Sequence, residues 1–140
     1  MREQAKVSAT INASAEKVWQ GLTDPKLVKQ YFFGTDLDTS WKKGSPIFFR
    51  GEWEGKKYED KGEVLSVIPG QQVSYTYWSS MSGEPDRPEN YRTVTYELNP
   101  KGDTTELTIS QESEPDKKTH SEQNWKMILE GLKKVVEPKL

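Results

Sequence analysis

Histidine occurs once in this 140-residue chain, as His120, and cysteine does not occur at all. Without cysteine there is no disulfide, no thiolate zinc site and no thiol nucleophile. With one histidine there is no HExxH and no multi-histidine metal cluster. A Ser-His-Asp arrangement would have to use His120, and no GxSxG elbow is present to hold its serine. His120 stands beside an expected helix start, where a surface position is the plain reading. No P-loop or GxGxxG occurs, and "DRPEN" and "NPKGD" lack the spacing of a calcium loop. The sequence thus offers no catalytic residue, no metal ligand set and no cofactor motif.

Carboxylates and rings remain. "EWE" (52–54) and "EDKGE" (59–63) lie in strand-like surroundings that can turn a carboxylate inward; in the first, alternation puts Glu52 and Glu54 on one face and Trp53 on the other, so the glutamates are expected outside. Rings are abundant, with 5 Trp, 6 Tyr and 4 Phe, and each can bury ~150–250 Å². Any one ring is expected to fill core. Taken together, Phe33, Phe48, Trp53, Tyr75, Tyr77, Tyr96 and Trp125, with the aliphatic Leu129, suggest a wall of apolar bodies with polar tips, the usual make-up of a small-molecule pocket. Trp41 and Trp78 belong to the same collection. Arg50 shares a face with Phe48 and suits either a ligand carboxylate or an ion pair on the sheet. Because "IFF" and "YTYW" put rings on both faces, strand parity here stays open.

Charge excludes other partners. The 20 basic and 22 acidic residues leave a formal charge of −2, and the lysine pairs at 42–43, 56–57, 117–118 and 133–134 are scattered. No net field favours nucleic acid or an anionic membrane, and the aromatic-basic interleaving of a single-strand binder is absent. "MREQAKVSAT" lacks the apolar stretch of a secretory signal, and no segment approaches ~18 consecutive apolar residues. A reducing, cytoplasmic setting is the expectation. The length fits one domain over 1–140, and no repeat or linker interrupts it.

The elements that must position these residues follow from period. "KVSATIN" (6–12) alternates Val7, Ala9 and Ile11 against polar neighbours, which predicts a strand with one buried face. In "SAEKVWQGLTDPKLVKQYFFG" (14–34), Ser14 suits an N-cap, Val18, Trp19 and Leu22 form a helical stripe, and Asp24-Pro25 caps and opens a second short helix. Both are too short to stand alone, since helices under ~12–15 residues are marginal in water. The expectation is that they bury Val18, Trp19, Leu22, Leu27 and Tyr31 against a sheet.

Five further strands are predicted at 46–53, 58–68, 72–78, 91–98 and 104–112, separated by Glu54-Gly55, Pro69-Gly70, the long loop 79–90 and Asn99–Asp103. The loop 79–90 is the one mobile candidate. In the last two strands Val94, Tyr96, Leu98, Leu107 and Ile109 share a face, opposite Thr93, Thr95, Glu97, Glu106, Thr108 and Ser110. From about 117 to 136 the period returns to 3.6, with Trp125, Ile128, Leu129, Leu132, Val135 and Val136 in one stripe. Thr119 and Glu122 have capping-box spacing, although a start nearer Asp116 also fits. Strands and helices kept apart in sequence predict an α+β domain: a curved antiparallel sheet of about six strands, with two short helices and a long C-terminal helix on its concave face.

"INASAEKVWQGLTDPKLVKQYF" resembles the opening signature of START-like (helix-grip, birch-pollen-allergen-like) domains, in particular homologues of the ATPase activator of the ninety-kilodalton heat-shock protein. "GEVLSVIPGQQVSYTYW", "TVTYELNPKGDTTELTISQE" and "NWKMILEGLKKVVE" are similar to that family's later strands and closing helix, in the right order across nearly the whole chain. Members commonly carry tryptophan where this chain has Tyr31-Phe32. The chaperone activator proper carries an N-terminal domain with no counterpart in these residues. The resemblance implies a helix-grip fold around a cavity. For function, the reading is a non-enzymatic binding domain for a small hydrophobic or aromatic molecule held between sheet and C-terminal helix. Two alternatives stand beside it: a chaperone ATPase co-regulator or stress-response interaction module, and a cyclase- or hydrolase-like enzyme of the same superfamily, which needs a titratable group facing inward.

Overall fold

The computed structural model describes residues 2–32, 34–80 and 83–137, with the Trp53 side chain left out. In chain order the elements are β1 (Glu3–Ile11), α1 (Ala15–Thr23), α2 (Pro25–Tyr31), β2 (Asp36–Thr39), β3 (Pro46–Trp53), β4 (Lys56–Ile68), β5 (Gln72–Tyr77), β6 (Arg92–Lys101), β7 (Thr104–Ser113) and α3 (Lys118–Val136). The strands make one antiparallel sheet in the order β1-β7-β6-β5-β4-β3-β2. It has seven strands rather than six. The extra one, β2, is the four-residue "DLDT" at the edge, where a single apolar Leu37 gives no alternation to read.

Turn chemistry builds the meander. Glu54 and Gly55 both adopt positive φ, 51° and 82°, the geometry of a two-residue hairpin turn whose twist matches its flanking strands. Between Val64 and Ser66 the β4–β5 register shifts, and such a bulge bends the strand and adds to the sheet's curvature. The inward sets on β6 and β7 are as alternation requires: Val94, Tyr96, Leu98, Leu107 and Ile109 are all buried.

Helix starts follow their caps where tertiary structure leaves them alone. Ser14 Oγ accepts from Lys17 N, and Asp24 Oδ1 accepts from Lys26 N ahead of Pro25. At α3 the expected Thr119–Glu122 box does not form. The helix begins at Lys118 after a 3-10 turn over Pro115–Lys117, and Glu122 instead reaches out to accept from Lys6 N of β1 at 3.0 Å. Glu137, just past the other end of α3, accepts from Asn12 N at 2.9 Å. The two contacts lay α3 along β1, with Trp125, Ile128, Leu129, Leu132 and Val136 buried beneath it.

The short helices grip α3 as much as the sheet. A Cβ on Gly21 would stand 2.6 Å from Val136 Cγ1, and one on Gly131 would stand 2.8 Å from Tyr31 Cβ. Glycine on each partner is what lets the backbones approach this closely. Tyr31 also donates to Gly21 O at 2.7 Å, which ties α2 to α1. Val18, Leu22 and Val28 are buried in the same core, with Trp19 and Tyr31 packed partly buried against it. Covered by α3 over β1 and β7, the sheet leaves its β3–β5 side free to wall a cavity.

The described part of the long β5–β6 connection is tied down. Trp78 stacks on Tyr91 at 6.4 Å and donates from Nε1 to Glu84 O; Asn90 Nδ2 donates to Pro85 O, and Tyr91 Oη to Asp86 Oδ1. Lys61 pairs with Asp86 at 2.6 Å. Those bonds fasten residues 84–91 to one another, to Trp78 and to Lys61 of β4. Lys61 and the Tyr91 hydroxyl hold the Asp86 carboxyl below the usual carboxylate range.

Candidate ligand-binding cavity

Between α3 and the β4–β5 side of the sheet lies a cavity of about 610 Å³. Five stretches of chain wall it. Tyr58 and Asp60 project inward from β4, paired in register with Gly51 and Phe49 of β3. Tyr75 and Tyr77 come from β5, Gln111 from β7, and Phe32 and Thr35 from the link between α2 and β2. His120, Ser121, Asn124, Trp125, Met127 and Ile128 come from α3. Trp125 and Ile128 belong to the buried stripe of that helix, while His120 and Met127 are exposed and mark the rim.

Rings form a closed circuit behind this space. Phe32 stacks on Phe49 at 5.6 Å, Phe49 meets Tyr75 at 5.7 Å, and Tyr75 meets Tyr96 at 5.6 Å. Tyr96 meets Trp125 at 5.9 Å, and Trp125 returns to Phe32 at 6.0 Å. Five rings from five elements thus brace one another, mostly edge to face, an arrangement worth ~0.5–1.5 kcal/mol per pair beyond area burial.

Each polar tip has a partner. The Tyr75 and Tyr96 hydroxyls lie 2.6 Å apart. Trp125 Nε1 donates to Gln111 Oε1 at 2.6 Å, and the Thr35 and Tyr58 hydroxyls bond each other. Tyr77 donates to Asp60 Oδ2, and Asp60 Oδ1 accepts from Ser80 N at 3.0 Å and Ser80 Oγ at 3.3 Å. Burial pushes the Tyr75, Tyr77 and Tyr96 phenols well above their ordinary range, and for Tyr77 the Asp60 carboxylate adds to the effect. All three stay neutral near pH 7, so Tyr77 is a donor and Asp60 its acceptor.

The structure brings together part of the expected set. Tyr75, Tyr77 and Trp125 line the cavity. Tyr96 and Leu129 are buried behind the lining. Phe48 and Arg50 do not reach it: Ile47 and Phe49 take the inward positions of β3, which leaves Phe48 and Arg50 on the opposite face. There the Arg50 guanidinium lies 4.3 Å from the Phe48 ring centroid and pairs with Glu59 at 2.7 Å and Asp38 at 3.0 Å. Of the two readings open for Arg50, the ion pair is the one found. Glu52 and Glu54 are exposed, as alternation requires. Phe33 lies outside the described residues, as does the Trp53 side chain.

The missed wall residues had signals of two kinds. Asp60 lies in "EDKGE", where an inward carboxylate was open; the inward position of Phe49 fixes the parity that brings Asp60 and Tyr58 inside. His120, Asn124 and Met127 follow at i, i+4, i+7 and so flank the apolar stripe of α3. Among the described residues no group of His, Asp or Glu has metal-site geometry, and no helix is long and apolar enough to cross a membrane.

A family model described as Activator of Hsp90 ATPase homolog 1-like protein matches residues 12–137. The chain belongs to this family. ChR145 from Cytophaga hutchinsonii, a solution structure, is 42% identical over 94% of this chain and 92% of its own, with a TM-score of 0.82. Two more distant structures share the fold. CV1439 from Chromobacterium violaceum is 23% identical, covering 97% of this chain and 98% of its own at a TM-score of 0.78. The Aha1 dimer from Colwellia psychrerythraea is 21% identical, covering 96% of each chain at 0.75. No curated protein matches in sequence. As an Activator of Hsp90 ATPase homolog 1-like protein, the chain has the START-like helix-grip architecture, with a long C-terminal helix across a curved antiparallel sheet.

Proposed function

We propose that this chain, a single START-like domain over 1–140, binds a small, mainly aromatic molecule in the cavity under α3 and does not transform it. The observation that carries the reading is the ring-walled space of about 610 Å³, which falls inside the ~300–1,000 Å³ span of small-molecule pockets. Its make-up fits the same role: apolar bodies of Phe32, Tyr75, Tyr77 and Trp125, and a few polar groups at fixed positions. Absence of cysteine accords with a reducing, cytoplasmic setting. Native mass spectrometry of the purified protein tests the proposal. A co-purified aromatic molecule supports it; no bound molecule, together with no uptake of aromatic probes, removes it.

Asp60 favours a second reading, cyclase- or hydrolase-like chemistry, because it puts a buried carboxylate in the cavity wall. Both its oxygens are engaged by Tyr77 and Ser80, which makes an anchoring role the better account. Turnover of a bound ligand that is abolished by Asp60→Asn would reverse that ranking.

The family description favours a third, an interaction module acting on a chaperone. Among the described residues the exposed large hydrophobics are the isolated Ile68 and Met127, whereas docking surfaces present contiguous apolar patches of several hundred Å². Pull-down under ATP-cycling conditions separates this reading from the cavity: capture of a chaperone supports it, and no contact removes it.

A further inference from the structure

Arg92 opens β6 and lines a second, smaller pocket of about 150 Å³ that adjoins the main cavity and shares Tyr77, Ser79, Gln111 and Ser121 with it as walls. Its Nη2 is taken, lying 2.9 Å from Glu114 and 3.4 Å from Glu84. Its Nη1 is buried and has no hydrogen-bond partner. A buried donor left unpaired destabilises its site until an acceptor reaches it, and such groups are rare enough to need a reason. Two ring donors at the cavity are already committed, Tyr77 to Asp60 and Trp125 Nε1 to Gln111.

The surrounding charges decide what kind of acceptor fits. Glu84, Glu112, Glu114, Arg92 and Lys117 all line the annex. Arg2 bridges Glu112 and Glu114, at 3.6 Å from each. Arg2, Arg92 and Lys117 therefore balance the three glutamates. A carboxylate or phosphate would bring an uncompensated negative charge into partly buried ground, which is unfavourable. A carbonyl oxygen brings acceptor lone pairs and no charge.

We propose that the cavity selects a neutral aromatic molecule bearing a carbonyl oxygen, which accepts a hydrogen bond from Arg92 Nη1 while the ring lies against Tyr77, Tyr75 and Trp125. This rests on the small-molecule reading above and specifies the ligand class for that site. Arg92 is then the specificity-determining residue, and the three aromatics supply affinity without discrimination.

Three naphthalenes of matched size test it by calorimetric titration of the full chain: 2-acetylnaphthalene, its carbonyl-free counterpart 2-ethylnaphthalene, and the anion 2-naphthoate. A hydrogen bond from a charged donor predicts that the acetyl compound binds about tenfold or more tighter than the ethyl compound, with naphthoate weaker than the acetyl compound. Arg92→Lys keeps a cation facing Glu84 and Glu114, so the protein stays folded, and the acetyl-to-ethyl ratio falls toward one. Equal binding of acetyl and ethyl compounds by the unmodified chain, an undiminished ratio in Arg92→Lys, or tightest binding of naphthoate would each overturn the assignment while leaving the cavity reading in place. Failure of all three to bind overturns both.

Discussion

The hydroxyls of Tyr75 and Tyr96 lie 2.6 Å apart behind the cavity, diagonal neighbours on β5 and β6, and each is the other's hydrogen-bond partner. The side chains are 1% and 5% exposed, so a hydroxyl robbed of its partner has little access to water. Tyr75→Phe or Tyr96→Phe alone is expected to cost ~1–3 kcal/mol, the range for stranding a buried polar group. The double variant strands nothing and is expected to cost clearly less than the sum of the two. Urea unfolding of all four proteins checks this; additive losses would mean that the hydroxyls find other partners.

Trp125 is both core and wall. Its ring braces Phe32 and Tyr96 and its Nε1 is bonded to Gln111, yet one side borders the cavity. Trp125→Ala is expected near the lower end of the ~3–5 kcal/mol typical of buried tryptophan, because the cavity side has fewer contacts to lose. Uptake of 2-acetylnaphthalene should fail in the same variant. A full core-sized loss with unchanged uptake would place the ligand elsewhere.

Gly51 makes room for Tyr58. A Cβ there would stand 2.5 Å from Tyr58 Oη, and the flexible end of that side chain is what must yield. Gly51→Ala is expected to swing the ring out of its contact with Thr35 and reshape the cavity, at an overpacking cost of ~1–3 kcal/mol. The affinity for 2-acetylnaphthalene should drop, and a titration that shows no change would mean that Tyr58 does not shape the bound state.

Arg50 supplies the opposite control. Its guanidinium is on the far face of the sheet, held by Glu59 and Asp38. Arg50→Ala is expected to leave ligand affinity unchanged, read by the same titration; a clear loss would restore it to the site.

Alkaline pH acts through the buried phenols. Burial raises their folded pKa values above the ordinary phenol value of 10.0, so the unfolded chain releases protons at a lower pH than the folded one does. The stabilisation from keeping them neutral is whole below pH 10 and is lost as pH climbs from there toward the folded values. Stability measured by urea should fall steeply above pH 10, and tyrosinate absorbance from Tyr75, Tyr77 and Tyr96 should appear together with unfolding. Full ionisation in a still-folded protein would contradict their burial.

Periodicity made α3, the short helix pair and the long strands legible, because their apolar stripes are long or their caps are local. Ser14 and Asp24 need only their own next turn, and both cap as read. The Thr119–Glu122 spacing misled for a tertiary reason: Lys6 N of β1 competes for the same carboxylate. Strand parity was the harder problem. Phe48 and Phe49 are both rings in one strand, and moving the buried position by one residue exchanges the two faces; only the packing of Phe49 on Phe32 and Tyr75 resolves it. The cavity wall was half visible because its polar part, Asp60, Gln111 and the α3 flank, carries no apolar signal.

Glu122 and Glu137, which hold α3 along β1, have an effect beyond holding it. They occupy amides on the outer border of the sheet, where an incoming chain would otherwise find free donors. At the other border β2 is only four residues long and carries Asp36 and Asp38, drawn to Lys29 and Arg50. Short, charged or side-chain-occupied margins are how open sheets avoid recruiting copies of themselves. A sheet guarded in this way can stay unclosed into a barrel, its hollow side kept for a guest, without becoming a template for aggregation.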